Sequence, residues 1–427
     1  MGKYPLYTVI IPTKDRETYL YHTLRTCLEQ SYPNYRIIVA DDASTDNSVA
    51  IVNKLIEKDS RIMLISRKRR VGMRENFEDA LRQVQSGYVI ALGGDDGLLP
   101  NAIEGINNVI QKTQTKLLTW CPPVFEYPST DNPIGQFSIC HHTKDKIVKS
   151  KDFLARQTIN YNYLDIECPM FYVKGVASID LINRVKARSK DGYFYSCPTP
   201  DGYSGIVLAG EVDSYLFSGK PFSIYGVSPS SQGQVYKNND NASKEQSQEF
   251  FDFASAMTMH SDLANQPYSP LLALMTVDYL LTARDLQGWP GSFPPIDYKT
   301  MMKKAVYELS SCGYGEDRLE REVKILYNIA NKHNISDYLS TLLFKAKRHG
   351  RSKIKIGNAI SFNMLYLNAS EFDISNIFDA AYAAKYISKT ISKLNIKDII
   401  QILKSSIGIL GIKGKVNGDL KKYCKQQ

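Results

Sequence analysis

An α/β architecture with a mostly parallel sheet is what this sequence predicts, and three features predict it. Short apolar runs alternate with amphipathic helical stretches four times within the first quarter of the chain, the pattern of parallel strands joined by right-handed crossovers. The run Tyr88-Val89-Ile90-Ala91-Leu92 is apolar throughout, as in a buried strand. Each run also ends in a turn rich in Asp, Thr or Arg, and in open α/β sheets ligands bind beyond the carboxyl ends of the strands.

The first strand is Tyr7 to Ile11, followed by Pro12-Thr13-Lys14-Asp15-Arg16 and a helix whose apolar face is Leu20, Leu24 and Leu28. A second strand, Arg36 to Ala40, runs into Asp41-Asp42-Ala43-Ser44-Thr45-Asp46 and a helix with Val49, Val52, Leu55 and Ile56 inward. The third, Ile62 to Ser66, leads through the basic loop Arg67 to Arg74 into a helix with Phe77, Ala80, Leu81 and Val84 on one side. The fourth ends in Gly93-Gly94-Asp95-Asp96-Gly97, and a helix begins at Pro100.

The strand ends therefore gather Thr13 and Asp15, Asp41 and Asp42, the Arg67 to Arg74 cations, and Asp95 and Asp96. Two adjacent carboxylates at the end of a buried strand are costly unless a cation sits there, and hard oxygen ligands suit Mg²⁺ or Mn²⁺. The same residues also make good turn chemistry for a helix cap, so both readings stand at this point. The set can read a base and ribose while holding a diphosphate. It does so without G-x-G-x-x-G after the first strand or G-x-x-x-x-G-K-[ST], which argues against a dinucleotide-binding domain and a P-loop NTPase.

The chain of 427 residues has room for two or three domains and an ordinary hydrophobic share of 43%. Its net charge of +9 is concentrated between Lys345 and Lys425, which favours a membrane surface, polyphosphate or nucleic acid there, or simply a soluble basic face. Clustered acids at the strand ends repel phosphate backbones, so no nucleic-acid partner is expected. Seven scattered cysteines, none in a C-x-x-C pair, argue against a disulfide framework or zinc site. Lys14, Asp15 and Arg16 interrupt the only early apolar run, and no stretch has the length of a membrane helix. A cytoplasmic protein is expected, with the inner membrane face as a possible resting place and the match Asn241-Ala242-Ser243 without meaning for glycosylation.

Further on, Leu117 to Trp120 reads as a strand, with irregular loops after it at Pro122, Pro123, Pro128 and Pro133. His141 and His142 face opposite ways in an extended chain and make a poor metal pair. Cys168 to Gly175 reads as a strand, Ile179 to Val185 as a helix, and Pro200-Asp201 as the start of another, where Asp201 suits an N-cap. Lys220 to Gln234 reads as a last strand and a Gly/Ser loop, either folded over a ligand's phosphates or a plain domain exit. The polar run Gln232 to Gln248 marks a boundary. Beyond it the candidate helices are Phe250 to Leu263, Leu271 to Leu286, Tyr298 to Ser311, Arg318 to Lys332 and Tyr338 to Arg348. Leu394 to Leu410 carries Ile396, Ile399, Ile400, Leu403, Ile407 and Leu410 on one face flanked by Lys393, Lys397 and Lys404, which fits a membrane interface or packing against the rest of the chain.

The series VIIPTKDR, IIVADDASTD, RENFEDAL and GYVIALGGDDGLLP, in that order, resembles the family 2 glycosyltransferases. The resemblance implies a GT-A fold, α/β and Rossmann-like with a mostly parallel sheet and flanking helices, over residues 1–235. A mainly helical domain over 236–427 would serve the acceptor, an oligomer or a membrane surface. It implies an inverting sugar transfer from a nucleotide-sugar, expected to be a UDP-sugar, to a glycan or polyprenol-linked acceptor, as in bacterial surface-polysaccharide synthesis. Pro12, Thr13, Asp15, Asp41 and Asp42 would meet the nucleoside, Arg74 the phosphates, Asp95 the ribose, and Asp96 the Mn²⁺ or Mg²⁺ ion. Gly94 stands where the family usually has its first carboxylate. Asp201 would be the general base, ahead of Asp213, Glu211 and Asp191. Tyr161, Tyr163, Phe171, Tyr172, Tyr193 and Tyr203 are candidates for stacking on acceptor sugars. An inactive nucleotide-sugar-binding relative is the first alternative; a sugar-nucleotide pyrophosphorylase, which should open with a glycine-rich basic loop, is the second.

Overall fold

The computed structural model describes residues 4–129, 132–140, 144–235, 241–348, 359–360 and 364–391. His141, His142 and the stretch Leu394 to Leu410, with its flanking lysines, lie outside the described residues.

The opening alternation is β1 (Tyr7–Thr13), α1 (Glu17–Leu28), β2 (Tyr35–Asp41), α2 (Ser48–Ile56), β3 (Ile62–Ser66), α3 (Met73–Arg82) and β4 (Tyr88–Ala91). These strands stand in the parallel order β3-β2-β1-β4. Period-2 geometry splits their side chains between two cores. Ile10, Ile38, Ala40, Val89 and Ala91 face one side with Phe77, Ala80 and Leu81 of α3. Val9, Ile11, Ile37, Val39 and Ile90 face the other with Leu20 and Leu24 of α1. Burial on both faces explains why the runs read as continuous apolar stretches.

The chain continues through β5 (Gly97–Leu98), α4 (Ala102–Thr113), β6 (Leu117–Trp120), β7 (Val124–Glu126), β8 (Gln136–Cys140), β9 (Lys146–Lys149), α5 (Ser150–Asn160), α6 (Phe171–Lys174), β10 (Gly175–Ser178), α7 (Ile179–Arg188), α8 (Asp201–Gly210), β11 (Ser214–Ser218), β12 (Ser223–Val227) and α9 (Gln232–Val235). β10 joins the main sheet antiparallel to β4 and β6, and β11 follows parallel to β6 with β9 at the edge. A second sheet takes β8, β7, β12 and β5 in that order.

Two sequence expectations fail in this middle region. The prolines after Trp120 do not prevent β7 and β8 from pairing, because they fall outside the paired residues. The strand expected over Cys168 to Gly175 begins only at Gly175. The preceding residues turn across α8 instead, where Lys174 buries its amine against the carbonyls of Asp165 and Ile166 at 2.7 and 3.0 Å.

The later helices are α10 (Asn241–Ala254), α11 (Leu272–Arg284), α12 (Tyr298–Ser311), α13 (Glu316–Lys332) and α14 (Ser336–Lys345). The helix expected over Phe250 to Leu263 stops at Ala254, and Met259 N–H instead donates to the Gln266 carbonyl at 2.8 Å beside a Thr258–Pro267 bridge. The polar run expected as a boundary carries the start of α10. Leu274, Val277, Met301, Leu326 and Leu339 form a core of their own, while Leu280, Ala283 and Trp289 pack into the α3–α8 core. The chain then returns: β13 (Ala359–Ile360) and β14 (Met364–Asn368) extend the second sheet past β8, and α15 (Ile377–Ile391) lies on α1 with Arg25 3.7 Å over the Phe378 ring. No helix among the described residues is long and apolar enough to cross a membrane.

Trp289 fastens the helical region to α8, its indole N–H donating to the Val207 carbonyl at 3.0 Å with the ring buried. Trp289→Ala should lower unfolding free energy by about 3–5 kcal/mol, measured by denaturant titration.

Candidate active site

The parallel register sets Thr13 beside Asp41 at the ends of β1 and β2, with Pro12 beside Ala40 one residue earlier. Thr13 Oγ1 and Asp41 Oδ1 are buried with no hydrogen-bond partner among the described residues, while Asp41 Oδ2 accepts from Ser44 N–H at 3.1 Å. Burial raises the Asp41 carboxyl above its ordinary range. Asp15, in the left-handed backbone region, accepts from Thr45 N–H at 2.7 Å and pairs with Lys14. Its partial burial pushes the carboxyl up, but the bonds from Lys14 and Thr45 bring it below the usual value. Asp42 turns to the next loop, where its two oxygens accept from Val71 N–H at 2.7 Å and Gly72 N–H at 3.0 Å.

Asp95 and Asp96 sit under a tight backbone crossing. Asp96 is 0% exposed; Oδ2 accepts from Gly93 N–H at 2.7 Å and Oδ1 from Gly226 N–H of β12 at 2.8 Å, and the Tyr172 hydroxyl adds a further bond. Burial, then the charge of Asp95, lifts its carboxyl well above the usual range. Asp95 Oδ2 accepts from the Ser228 and Ser231 hydroxyls at 2.6 and 2.9 Å, whereas its Oδ1 has no protein donor among the described residues. The Gly/Ser loop after β12 thus folds onto this carboxylate, and Arg16 ties it down through the Ser230 carbonyl at 3.0 Å.

Asp201 opens α8 and is partly buried. Burial lifts its carboxyl to about 6 against the pull of its own backbone amide. Tyr163, Tyr268 and Tyr279 lie within its electrostatic reach. Burial, then the charges of Asp95, Asp96 and Asp201, raise the Tyr172 and Tyr225 hydroxyls, and the Tyr172 hydroxyl bonds to Asp96. The rivals for the base are engaged elsewhere: Glu211 with Arg188 at 2.7 Å and Asp191 with Arg74 at 2.5 Å, while Asp213 is exposed beyond α8.

Arg74, expected at the phosphates, here meets Asp191, the Tyr195 carbonyl at 2.5 Å and the Tyr193 ring 4.6 Å from its guanidinium. Of the proposed aromatic contacts, Tyr161, Tyr163, Phe171 and Tyr203 are buried in the cores; Tyr172 and Tyr193 keep partial exposure. Sequence reading did not single out Arg16, Tyr225, Gly226, Ser228 or Ser231. Only Ser228 and Ser231 had a signal, the Gly/Ser composition after β12, because the pairing of β12 with β5 is non-local.

Among the described residues no three His, Cys, Asp or Glu side chains form a metal group. The donor that fits a hard cation is the free Oδ1 of Asp95; Asp96, expected as the ligand, already has both oxygens committed to backbone N–H groups.

Residues 8–173 match the family model described as Glycosyl transferase family 2. An uncharacterized glycosyltransferase of Haemophilus influenzae is 35% identical over 100 residues, 23% of this chain and 40% of that protein. The putative teichuronic acid biosynthesis glycosyltransferase TuaG of Bacillus subtilis is 33% identical over 92 residues, 22% of this chain and 36% of its own. The UDP-Glc:alpha-D-GlcNAc-diphosphoundecaprenol beta-1,3-glucosyltransferase WfaP of Escherichia coli is 35% identical over 91 residues, 21% and 36% of the two chains. The chain thus spans well under half the length of these relatives.

A carboxylate at Gly94 has no room: a Cβ there would lie 2.7 Å from Thr13 Oγ1 and 2.9 Å from Arg16 Cγ. Gly94→Asp should lower stability by about 1–3 kcal/mol without tightening Mn²⁺ binding, read from thermal melts and metal titration.

Proposed function

We propose that this chain, whose residues 8–173 match the family 2 glycosyltransferase model, moves a sugar from a nucleotide-diphosphate donor to a hydroxyl of a glycan or lipid-linked acceptor, inverting the anomeric centre. The observation that carries the proposal is the gathering at the strand ends of Thr13, Asp41, Asp95 and Asp96, with the loop after β12 folded onto the last two. A donor's diphosphate would lie toward the carboxylate pair and the acceptor hydroxyl toward Asp201. The nucleoside would take the Thr13–Asp41 end, where the unpartnered Asp41 Oδ1 suits a ring N–H. A UDP-sugar donor and a polyprenol-linked acceptor are favoured by the similarity to the Escherichia coli enzyme, whose name gives both. Peripheral association with the membrane holding such an acceptor belongs to the same proposal.

The acceptor oxygen attacks the anomeric carbon as its proton passes to Asp201, and the bond to the β-phosphate oxygen breaks with its electron pair leaving on the diphosphate. A carboxyl near 6 is ionised at neutral pH yet basic enough to share the proton in the transition state. Attack from the side opposite the diphosphate inverts the centre. A bound Mn²⁺ or Mg²⁺ would neutralise charge on the leaving diphosphate, and Asp95 is the residue with an oxygen free to hold it. Asp96 keeps Gly93 and Gly226 in place around it.

Because Asp201 must be ionised, kcat/KM should fall as pH drops through about 6, and Asp201→Asn should lose about 100- to 10,000-fold in transfer while its melt stays near wild type. Near-full transfer by Asp201→Asn would dismiss it as the base. Donor hydrolysis with UDP-, GDP- and dTDP-sugars, with and without Mn²⁺, tests the enzyme against a binding-only relative. Asp95→Asn should abolish any Mn²⁺ stimulation, and Asp96→Asn should lower the melting temperature as well.

A further inference from the structure

Helix α10 comes from the helical region, yet it packs on the nucleoside end of the rim. Arg70, on the loop between β3 and α3, pairs with Glu249 of α10 and lies 3.6 Å from Asp42, and its guanidinium sits 4.8 Å from the centre of the Phe253 ring. Phe253 also presses on Gly72, where the backbone has φ +86° and a Cβ would lie 3.0 Å from the ring. The same two loop residues, Val71 and Gly72, are the ones Asp42 holds by their N–H groups. One short loop is thus gripped from below by the Asp next to Asp41 and from above by α10.

The grip itself is anchored. Phe250, on the same helix, packs against Tyr268 with ring centres 5.4 Å apart, and Ser247 accepts from Arg318 of α13 at 2.5 Å. Asp41 Oδ1 and Thr13 Oγ1, buried and unpartnered beside this loop, supply edge-on bonds to a base but no face for it to stack on. A planar guanidinium backed by an aromatic ring supplies that face.

We propose that α10 is part of the donor site, with Phe253 and Glu249 as positioning residues that hold Arg70 flat against the nucleobase. This rests on the donor reading above. It makes base selectivity a joint property of the catalytic domain and the helical region, while the diphosphate end stays independent of α10.

The test is calorimetric titration of the full chain with UDP, and separately with pyrophosphate, both with Mn²⁺ present. Phe253→Ala should weaken UDP about tenfold and leave pyrophosphate unchanged, and Phe253→Tyr should restore UDP binding. Glu249→Gln, an exposed partner whose loss leaves the core intact, should weaken UDP in the same direction. Equal UDP affinity in wild type, Phe253→Ala and Glu249→Gln, with unchanged melts, would overturn the inference. Equal weakening of UDP and pyrophosphate would overturn it too, since a structural defect alone does that. Failure of the wild type to bind UDP, GDP or dTDP would instead overturn the donor reading.

Discussion

The site is organised by the burial of Asp96. A carboxylate with no exposure must be hydrogen-bonded or lose its charge, and this one takes backbone N–H groups from the end of β4 and from β12. Those bonds draw two chain segments so close that a Cβ at Gly226 would lie 1.8 Å from the Asp95 carbonyl oxygen. The crossing then brings Ser228 and Ser231 onto Asp95 and the Tyr127 hydroxyl onto its carbonyl. Burial first, and then the neighbouring Asp95 charge, favours a proton on Asp96, which is why its carboxyl is raised. A cation arriving at Asp95 would offset that repulsion, so the pair is electrostatically receptive to one.

Asp201 meets the opposite balance. The start of a helix favours a carboxylate, and burial among phenols disfavours it. Burial dominates but does not run away, because the side chain keeps some contact with solvent. The outcome is a carboxyl poised close to neutrality, where a general base is most useful. Glu211 and Asp191, close by in sequence, are each paired with an arginine instead, and for Asp191 the bonds from Arg74 and Tyr193 outweigh burial and hold its carboxyl below the usual range.

Most of the first sheet was legible because its signals are local: an apolar run, a turn, a helical stripe. β1 to β4 and α1 to α3 follow that grammar, and the rim residues come with them. What was illegible depends on distant pairing. β10 reads as a continuation of Cys168 to Lys174 until one sees those residues folded over α8, and β7 and β8 hide among prolines that happen to fall outside the ladder. Nor does the sequence reveal that Asp191, more than a hundred residues on, pairs with Arg74. The glycine at 94 reads as a missing ligand from sequence alone; in space it is the only residue that lets Thr13 and Arg16 approach.

The same distinction bears on the helical region. Helices α11 to α14 are legible one by one, but α10 and α15 are not, and neither is their attachment, since it runs through single side chains such as Trp289 on α8 and Phe250 on Tyr268. Tyr268 lies within reach of Asp201, and Phe253, on the same helix as Phe250, presses on the loop held by Asp42. One helix therefore packs on Tyr268 and on the loop held by Asp42 together. The shape of that loop therefore depends on a helix from a distant part of the sequence, which no local signal in the loop itself announces.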